Sequence, residues 1–194
     1  MAVLVIGGMP GCGKTTLAIN VARDMGLEEV VQTDVLKTVL KASGCRDASV
    51  DTSHNAWRRL GGEKSPSALK AGYRLHTDTY RKLLQDIVSI SAGMGKALVL
   101  EGAQISPFNF EVLEGRKLGY YITCPPEERR RRLALKQARR SCENSEWVTH
   151  FDDICLLDEW LCAEAWRSGM TVVENASLEQ TLERIEKEAL TLWT

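Results

Sequence analysis

The sequence predicts an α/β fold in which a parallel sheet is covered by helices on both faces. Three observations support this fold class: short unbroken apolar runs, helical periodicities between them, and a glycine-rich segment directly after the first run. Apolar runs that do not alternate with polar residues are typical of strands buried on both faces. Their alternation with helical segments indicates a doubly wound sheet. With 44% hydrophobic and 26% charged residues, the chain can form the core that such a sheet needs.

The order of elements follows from where each pattern falls. Strands are predicted at residues 2–6, 29–33, 97–100, 119–123 and 171–173. Helices are predicted at residues 17–25, 35–40, 80–94, 151–165 and 178–192, where apolar positions recur every three or four residues. A length of 194 residues and the absence of linker-like composition favour a single domain over 1–194.

Charge and residue usage exclude several classes of protein. Twenty-five Lys and Arg against 26 Asp and Glu give a net charge of −1, which argues against a surface built to hold duplex nucleic acid. The first apolar run is too short to cross a bilayer and lacks a basic leader, so we expect a cytoplasmic protein without membrane contact. The six cysteines form no CxxC pair and are expected to be reduced. The spacing of the three histidines does not favour a zinc site.

The phosphate-loop pattern G-x-x-x-x-G-K-[ST] is matched at residues 8–15, between a predicted strand and a predicted helix. Glycines let backbone N–H groups turn inward as an anion cradle, the lysine can reach the β- and γ-phosphates, and the threonine hydroxyl can ligate Mg²⁺. The alternative is an ordinary glycine turn with a surface lysine. ATP and Mg²⁺ are the predicted cofactors. The candidate nucleotide-binding residues are Gly8, Gly11, Cys12, Gly13, Lys14, Thr15 and Thr16, with Asn175 after the fifth strand as a candidate contact to the base.

Two acids follow predicted strands, at the sheet edge where ligands bind in open α/β folds. Asp34 could accept a proton from an attacking hydroxyl or hold a magnesium-bound water. Its alternative role is the N-cap of the next helix. Glu101 follows an apolar strand and could orient magnesium together with Thr15, or form a structural salt bridge. The pattern leaves open which acid is the general base.

A basic helix is predicted after the fourth strand, with a lid over about residues 126–142. Arg132, Lys136, Arg139 and Arg140 share one helix face, so they could converge on the transferring phosphoryl group. For residues 129–131 a solvated face is the favoured interpretation. RNA binding is a further alternative, weakened because no aromatic residues lie between the arginines.

Residues 43–74 show no clear periodicity and contain scattered Gly, Ser and Pro. A segment of this length in a compact domain often belongs to a binding site, so it is predicted to be a substrate-region insertion. The alternative is a disordered surface excursion. Candidate substrate-binding residues are His54, Trp57 and Arg58, although a surface helix start is an equally good interpretation. Asp34 and Lys37 complete the candidate substrate set.

Several segments together resemble the 2-phosphoglycerate kinase family and related small P-loop kinases. The resemblance runs through residues 7–15, 33–36, 52–57, 100–107 and 151–175. It implies a P-loop NTPase of three layers, α/β/α, with a five-stranded parallel sheet in the kinase-type order 2-3-1-4-5 and an arginine-bearing lid. The chain departs from the family at Lys37, where arginine is usual, and at Ala103 and Gln104. These are pocket positions, so substrate identity does not follow from the resemblance alone.

These observations predict an ATP-dependent kinase that transfers the γ-phosphoryl group to a hydroxyl of a small anionic metabolite, with 2-phosphoglycerate as the first candidate. Lys14 would bind the phosphates, Asp34 would take the hydroxyl proton, and the lid arginines would close over the phosphoryl group. The alternatives are a polynucleotide or tRNA-end kinase and a nucleotide-dependent regulatory protein. The sequence leaves the acceptor and the oligomeric state open.

Overall fold

A computed structural model describes residues 2–44, 53–140 and 146–193. Five parallel strands form one sheet in the order β2-β3-β1-β4-β5. They are β1 (Ala2–Gly7), β2 (Glu29–Gln32), β3 (Leu98–Glu101), β4 (Arg116–Thr123) and β5 (Thr171–Glu174). The predicted α/β class, the five strands and the order 2-3-1-4-5 are confirmed. The largest difference is in β4, which begins three residues before its apolar run.

The helices lie between the strands along the chain. In the part of the chain that the structure describes, they are α1 (Lys14–Asp24), α2 (Thr33–Ala42), α3 (Pro66–Asp78), α4 (Arg81–Gly93), α5 (Pro107–Val112), α6 (Pro126–Arg140), α7 (Glu146–Thr149), α8 (Phe151–Arg167) and α9 (Leu178–Trp193). A short 3₁₀ helix spans Ala56–Leu60. Over residues 2–44, 53–140 and 146–193, no helix has the length and apolar character needed to cross a membrane.

The central strand β1 contributes to both sides of the core. Alternate side chains of a strand point to opposite faces of the sheet. Val3 and Val5 pack in the cluster formed with α3, α4, α5 and α8, whereas Leu4 and Ile6 pack in the cluster formed with α1 and α9. Because both faces of the sheet are covered, every position of β1 favours an apolar residue, which gives the strand its unbroken apolar run.

Helix α3 begins inside the segment 43–74, in which the sequence shows no clear periodicity, and ends four residues after it. Ser65 caps it by accepting a hydrogen bond from the Ala68 backbone N–H at 3.1 Å, and Pro66 occupies the first turn. The helical pattern is obscured because much of the buried face is not apolar: it includes Gly72 and His76 beside Tyr73. Ser65 and Pro66, which start the helix, are also common in loops, so the sequence around them does not reveal a helix.

Gly72 is where α3 packs directly against the 3₁₀ helix. A Cβ atom at this position would lie 2.2 Å from the backbone nitrogen of Trp57. We expect Gly72→Ala to lower the free energy of unfolding by about 2 kcal/mol or more, because backbone atoms must move apart. Gly93→Ala is the matched control, since no atom of the described residues lies within 4 Å of a Cβ there. Chemical denaturation would measure both, and equal stabilities of the two variants would contradict this packing.

His76 makes stability depend on pH. Its side chain is fully buried against Tyr80, neither ring nitrogen has a hydrogen-bond partner among the described residues, and burial lowers its pKa to about 4. Between pH 6.5 and about 4, the unfolded chain takes up a proton that the folded chain does not, so stability falls as the pH falls. We expect His76→Leu to reduce this slope by up to about 1.4 kcal/mol per pH unit. Denaturation at pH 7 and pH 5 tests this, and an unchanged slope would contradict it.

Candidate active site

The loop after β1 has the backbone of an anion cradle. Gly8, Gly11 and Gly13 have φ angles of 143°, 86° and 90°, in the region that favours glycine. At Gly8 a Cβ atom would also lie 2.3 Å from the backbone oxygen of Ile122. Helix α1 begins at Lys14, so the loop opens onto a helix N-terminus, where backbone N–H groups and the helix dipole favour negative charge.

Three side chains from other elements hold the loop from outside. Arg129 donates to the Pro10 carbonyl at 2.8 Å, while Arg132 and Asn175 donate to the Cys12 carbonyl at 3.2 and 2.8 Å. Arg129 and Arg132 belong to α6, and Asn175 follows β5. The conformation of the loop is therefore fixed by the basic helix and by the end of the sheet.

Arg129 is not on a solvated face, and that interpretation was wrong. Its side chain is 1% exposed and pairs with Asp158 of α8 at 2.5 Å. Asp158 also accepts hydrogen bonds from Tyr121 at 3.1 Å and Thr123 at 2.5 Å. The guanidinium can be buried because Asp158, on a largely apolar buried face of α8, supplies the opposite charge. Arg131, by contrast, is exposed and pairs with Glu128 on the same helix.

Of the three arginines predicted to act in the lid, the structure describes the side chain of Arg132 only. Arg132 pairs with Glu128 at 2.6 Å and also donates to the Asn175 carbonyl at 3.0 Å. In this structure the Arg132 guanidinium donates a hydrogen bond to the backbone of the glycine loop. Its action on a transferring phosphoryl group stays a prediction. The contact of Asn175 with a nucleotide base also stays a prediction. The side chains of Arg139 and Arg140 lie outside what the structure describes.

Lys14, Thr15 and Glu101 come together at the mouth of the loop. The Lys14 ammonium donates to the Met9 carbonyl at 3.1 Å, and the Thr15 hydroxyl donates to Glu101 Oε1 at 3.0 Å. Glu101 ends β3 and is 3% exposed. Burial raises its pKa, an effect opposed by the Lys14 charge and by the Thr15 hydrogen bond. Oxygen donors of this kind suit magnesium, and Thr16 lies exposed beside them.

Asp34 lies across the same cleft, in the first turn of α2. Helix α2 begins at Thr33, so Asp34 lies inside the helix and not at the cap position that was its alternative role. Its Oδ1 accepts a hydrogen bond from Gln104 at 3.2 Å and lies 3.8 Å from the Lys37 ammonium. Partial desolvation within the cleft opposes ionisation of Asp34, but the Lys37 charge and the Gln104 hydrogen bond outweigh it, so the pKa of Asp34 is lowered and the carboxylate stays ionised.

A cleft of about 780 Å³ joins these groups. Besides the loop and the two acids, it is lined by Lys37, Ser53, His54, Gln104, Arg132, Lys136 and Trp147. His54 is neutral at pH 7, since burial lowers its pKa to about 4. Trp57 and Arg58 do not line the cleft: the backbone of Trp57 packs against Gly72 of α3, and Arg58 is exposed. Their part in substrate binding stays a prediction that the shape of the cleft does not support.

Two cleft residues, Lys136 and Gln104, make contacts that the sequence did not predict. Lys136 lies four residues after Arg132 on α6, and its ammonium is 4.7 Å from the centre of the Trp147 ring. The helical spacing placed it with the lid arginines as a group that could converge on the transferring phosphoryl group, and that role stays a prediction. Gln104 was expected at a pocket position from the family resemblance, but its role was missed because it depends on a contact with Asp34, 70 residues away in sequence.

The fold and the loop define a P-loop protein with a kinase-type sheet. A family model described as an AAA domain matches residues 4–147, and the chain belongs to that family. Among curated proteins it is similar to the 2-phosphoglycerate kinases of Pyrococcus horikoshii, at 24% identity over 97% of this chain and 64% of the relative, and Methanocaldococcus jannaschii, at 23% over 94% and 61%. The chain therefore spans just over three-fifths of the length of these relatives.

Solved structures show the same fold. TT1252 from Thermus thermophilus superimposes with a TM-score of 0.55 at 24% identity, covering 100% of this chain and 98% of that one. Shikimate kinase from Acinetobacter baumannii, in complex with shikimate, gives a TM-score of 0.55 at 18% identity, covering 98% and 93%. At these identities the likeness concerns the architecture.

Proposed function

We propose that this protein is an ATP-dependent kinase that transfers the γ-phosphoryl group to a hydroxyl of a small anionic metabolite. The observation that carries the proposal is the content of one cleft: a glycine loop with Lys14, the Thr15–Glu101 pair, and Asp34 beside Lys37. Phosphoryl transfer needs this combination of anion binding, metal ligation and a base.

The loop amides and Lys14 would bind the β- and γ-phosphates. Lys14 is 8% exposed, and its hydrogen bonds within the chain are to the Met9 carbonyl and the Cys12 sulfur. An ammonium has three N–H donors, so one is left for a phosphate oxygen while both of these contacts are kept. Thr15 and Glu101 would hold magnesium, which when bound neutralises charge on the transferring group.

Asp34 would act as the general base. The proton of the acceptor hydroxyl would pass to Oδ2, while the acceptor oxygen forms a bond to the γ-phosphorus and the bond from that phosphorus to the ADP oxygen breaks. The lowered pKa of Asp34 supports this role because the base must be ionised before it can accept a proton. Glu101, bonded to Thr15, is the better candidate for metal binding.

The acceptor would be an anion because cations surround the space beside Asp34. Lys37 and Lys136 line the cleft, and the neutral imidazole of His54 lines it beside them as a hydrogen-bonding group. 2-Phosphoglycerate is the first candidate acceptor because the curated relatives act on it by name. A polynucleotide substrate is less well supported, since Arg129, Arg131 and Arg132 are already paired with carboxylates.

An acceptor panel tests the proposal directly. The full chain would be incubated with ATP, Mg²⁺ and one acceptor at a time: 2-phosphoglycerate, other phosphorylated acids, sugars, nucleosides and a short RNA. Mass spectrometry would identify the phosphorylated product. We expect ADP formation that depends on a small anionic acceptor. Transfer to RNA alone, or slow ATP hydrolysis that no acceptor accelerates, would overturn the proposal.

Asp34→Asn separates the base from the binding groups. We expect the turnover number to fall about 100- to 10,000-fold while the affinity for magnesium ATP changes little, because asparagine keeps the shape but accepts no proton. Asp86→Asn on α4 is the matched control, since Asp86 is exposed and pairs only with Lys82 among the interactions described. Full activity of the Asp34 variant would exclude this residue as the base.

A further inference from the structure

Gln104 connects the end of β2 to the segment after β3. Its Oε1 accepts a hydrogen bond from the Thr33 hydroxyl at 2.5 Å, and its Nε2 donates to Asp34 Oδ1 at 3.2 Å. An ionised carboxylate can only accept, so the NH₂ group of the amide must face Asp34. The Thr33 hydroxyl then has to donate to the opposite end. Chemistry alone therefore fixes the orientation of this side chain, which is 2% exposed.

The surroundings of Gln104 are built to permit this arrangement. Gly102 has a φ of 148°, and a Cβ atom there would lie only 1.8 Å from the Thr33 hydroxyl oxygen. Only glycine leaves room for Thr33 to reach Gln104. The backbone carbonyl of Gln104 is held separately by Asn109, which donates to it at 3.1 Å and to the Thr77 carbonyl at 3.0 Å. Both the backbone and the amide of Gln104 are thus anchored.

Asp34 has no comparable anchor of its own in the described parts of the chain. Its side chain is 62% exposed, and its ion pair with Lys37 spans 3.8 Å, a contact of a kind that contributes little to holding a carboxylate in place. Gln104 and Lys37 both act on Oδ1. Among the described residues, no hydrogen bond or ion pair is made by Oδ2, which leaves that oxygen for an incoming hydroxyl.

We propose that Gln104 is a positioning residue that fixes the Asp34 carboxylate, through the chain Gly102–Thr33–Gln104–Asp34, so that Oδ2 faces the acceptor hydroxyl. The inference rests on the proposed function, in which Asp34 is the general base. It adds a residue that acts through Asp34 without touching the reacting atoms.

Gln104→Met tests the role because methionine is similar in length and has no amide. We expect the turnover number to fall about 10- to 100-fold with the KM for ATP almost unchanged, since a misdirected base slows the chemical step only. The amide also helps to lower the pKa of Asp34, so its loss should move the acid limb of the pH profile upward. Gln85→Met is the control: that amide bridges Ser89 and the Glu114 backbone on the surface, away from the cleft.

A double-mutant cycle distinguishes positioning from general structural damage. If Gln104 acts through Asp34, adding Gln104→Met to the Asp34→Asn variant should lower the turnover number by less than about threefold. Equal losses in both backgrounds, or an unchanged turnover number in the single variant, would overturn the inference.

The pKa of Asp34 can be measured without any enzymatic turnover, so it tests the role of Gln104 independently of the proposed function. NMR titration of the Asp34 carboxyl in the full chain should show a higher pKa in Gln104→Met than in wild type. An unchanged pKa would overturn the inference. If the pKa rises but the wild type phosphorylates no acceptor, the proposed function fails while the hold of Gln104 on the carboxylate stands.

Discussion

Lys14→Ala is expected to lower the rate of ATP-dependent phosphoryl transfer by about 1,000-fold or more, because the variant loses the charge that faces the phosphates in a partly dehydrated cleft. The ammonium is almost fully buried at the loop, so a replacement cation would have to enter the loop itself. Steady-state kinetics with the acceptor found in the panel would measure the loss.

Lys82→Ala is the matched control for Lys14→Ala. Lys82 lies on α4 with a side chain that is 88% exposed, and it pairs with Asp86. We expect its activity to equal that of the wild type. Thermal unfolding of both variants would separate a loss of fold from a loss of phosphate binding. A folded Lys14→Ala variant with wild-type turnover would contradict the proposal that Lys14 and the loop bind the phosphates of ATP.

Arg129→Met is expected to have the largest effect on stability. It leaves Asp158 as a buried carboxylate without its cation, with hydrogen bonds from Tyr121 and Thr123 as partial compensation. Breaking a buried pair from one side costs about 3–5 kcal/mol. The loop would also lose the donor to the Pro10 carbonyl, so nucleotide affinity should fall in parallel.

Two further variants are controls for the loss of stability expected in Arg129→Met. Arg131→Met removes an exposed arginine that pairs with Glu128, and we expect a change within about 0.5 kcal/mol. Arg129→Met combined with Asp158→Leu removes both buried charges, so part of the lost stability should return. Denaturant unfolding would measure all three. A single Arg129 variant as stable as the Arg131 variant would contradict the buried pair.

The sheet could be predicted from sequence because it is buried on both faces. A short unbroken apolar run such as β1, followed at once by glycines, is typical of a buried strand, and the strand order followed from a family resemblance. Helix α3 was missed because it packs through Gly72 and His76, residues that carry no apolar signal. Its close approach to Trp57 is a tertiary contact that a local pattern does not contain.

The candidate site was predictable where its residues have a fixed place in the chain. Lys14 and Thr15 belong to a contiguous motif, and Asp34 and Glu101 follow strands whose carboxyl ends meet at one edge of the sheet. The environment of Arg129 was misjudged and the role of Gln104 was missed because both depend on partners far away in sequence. The partner of Arg129 is 29 residues away, on α8, and lies within a mostly apolar helix face.

Titration calorimetry with ATP in excess Mg²⁺ tests the central claim, that residues 8–15 bind nucleotide phosphates. We expect saturable heat with one nucleotide bound per chain, and much weaker binding for Lys14→Ala, which lacks the charge that faces the phosphates. Absence of heat from the wild type, or equal affinity of the two proteins, would contradict it.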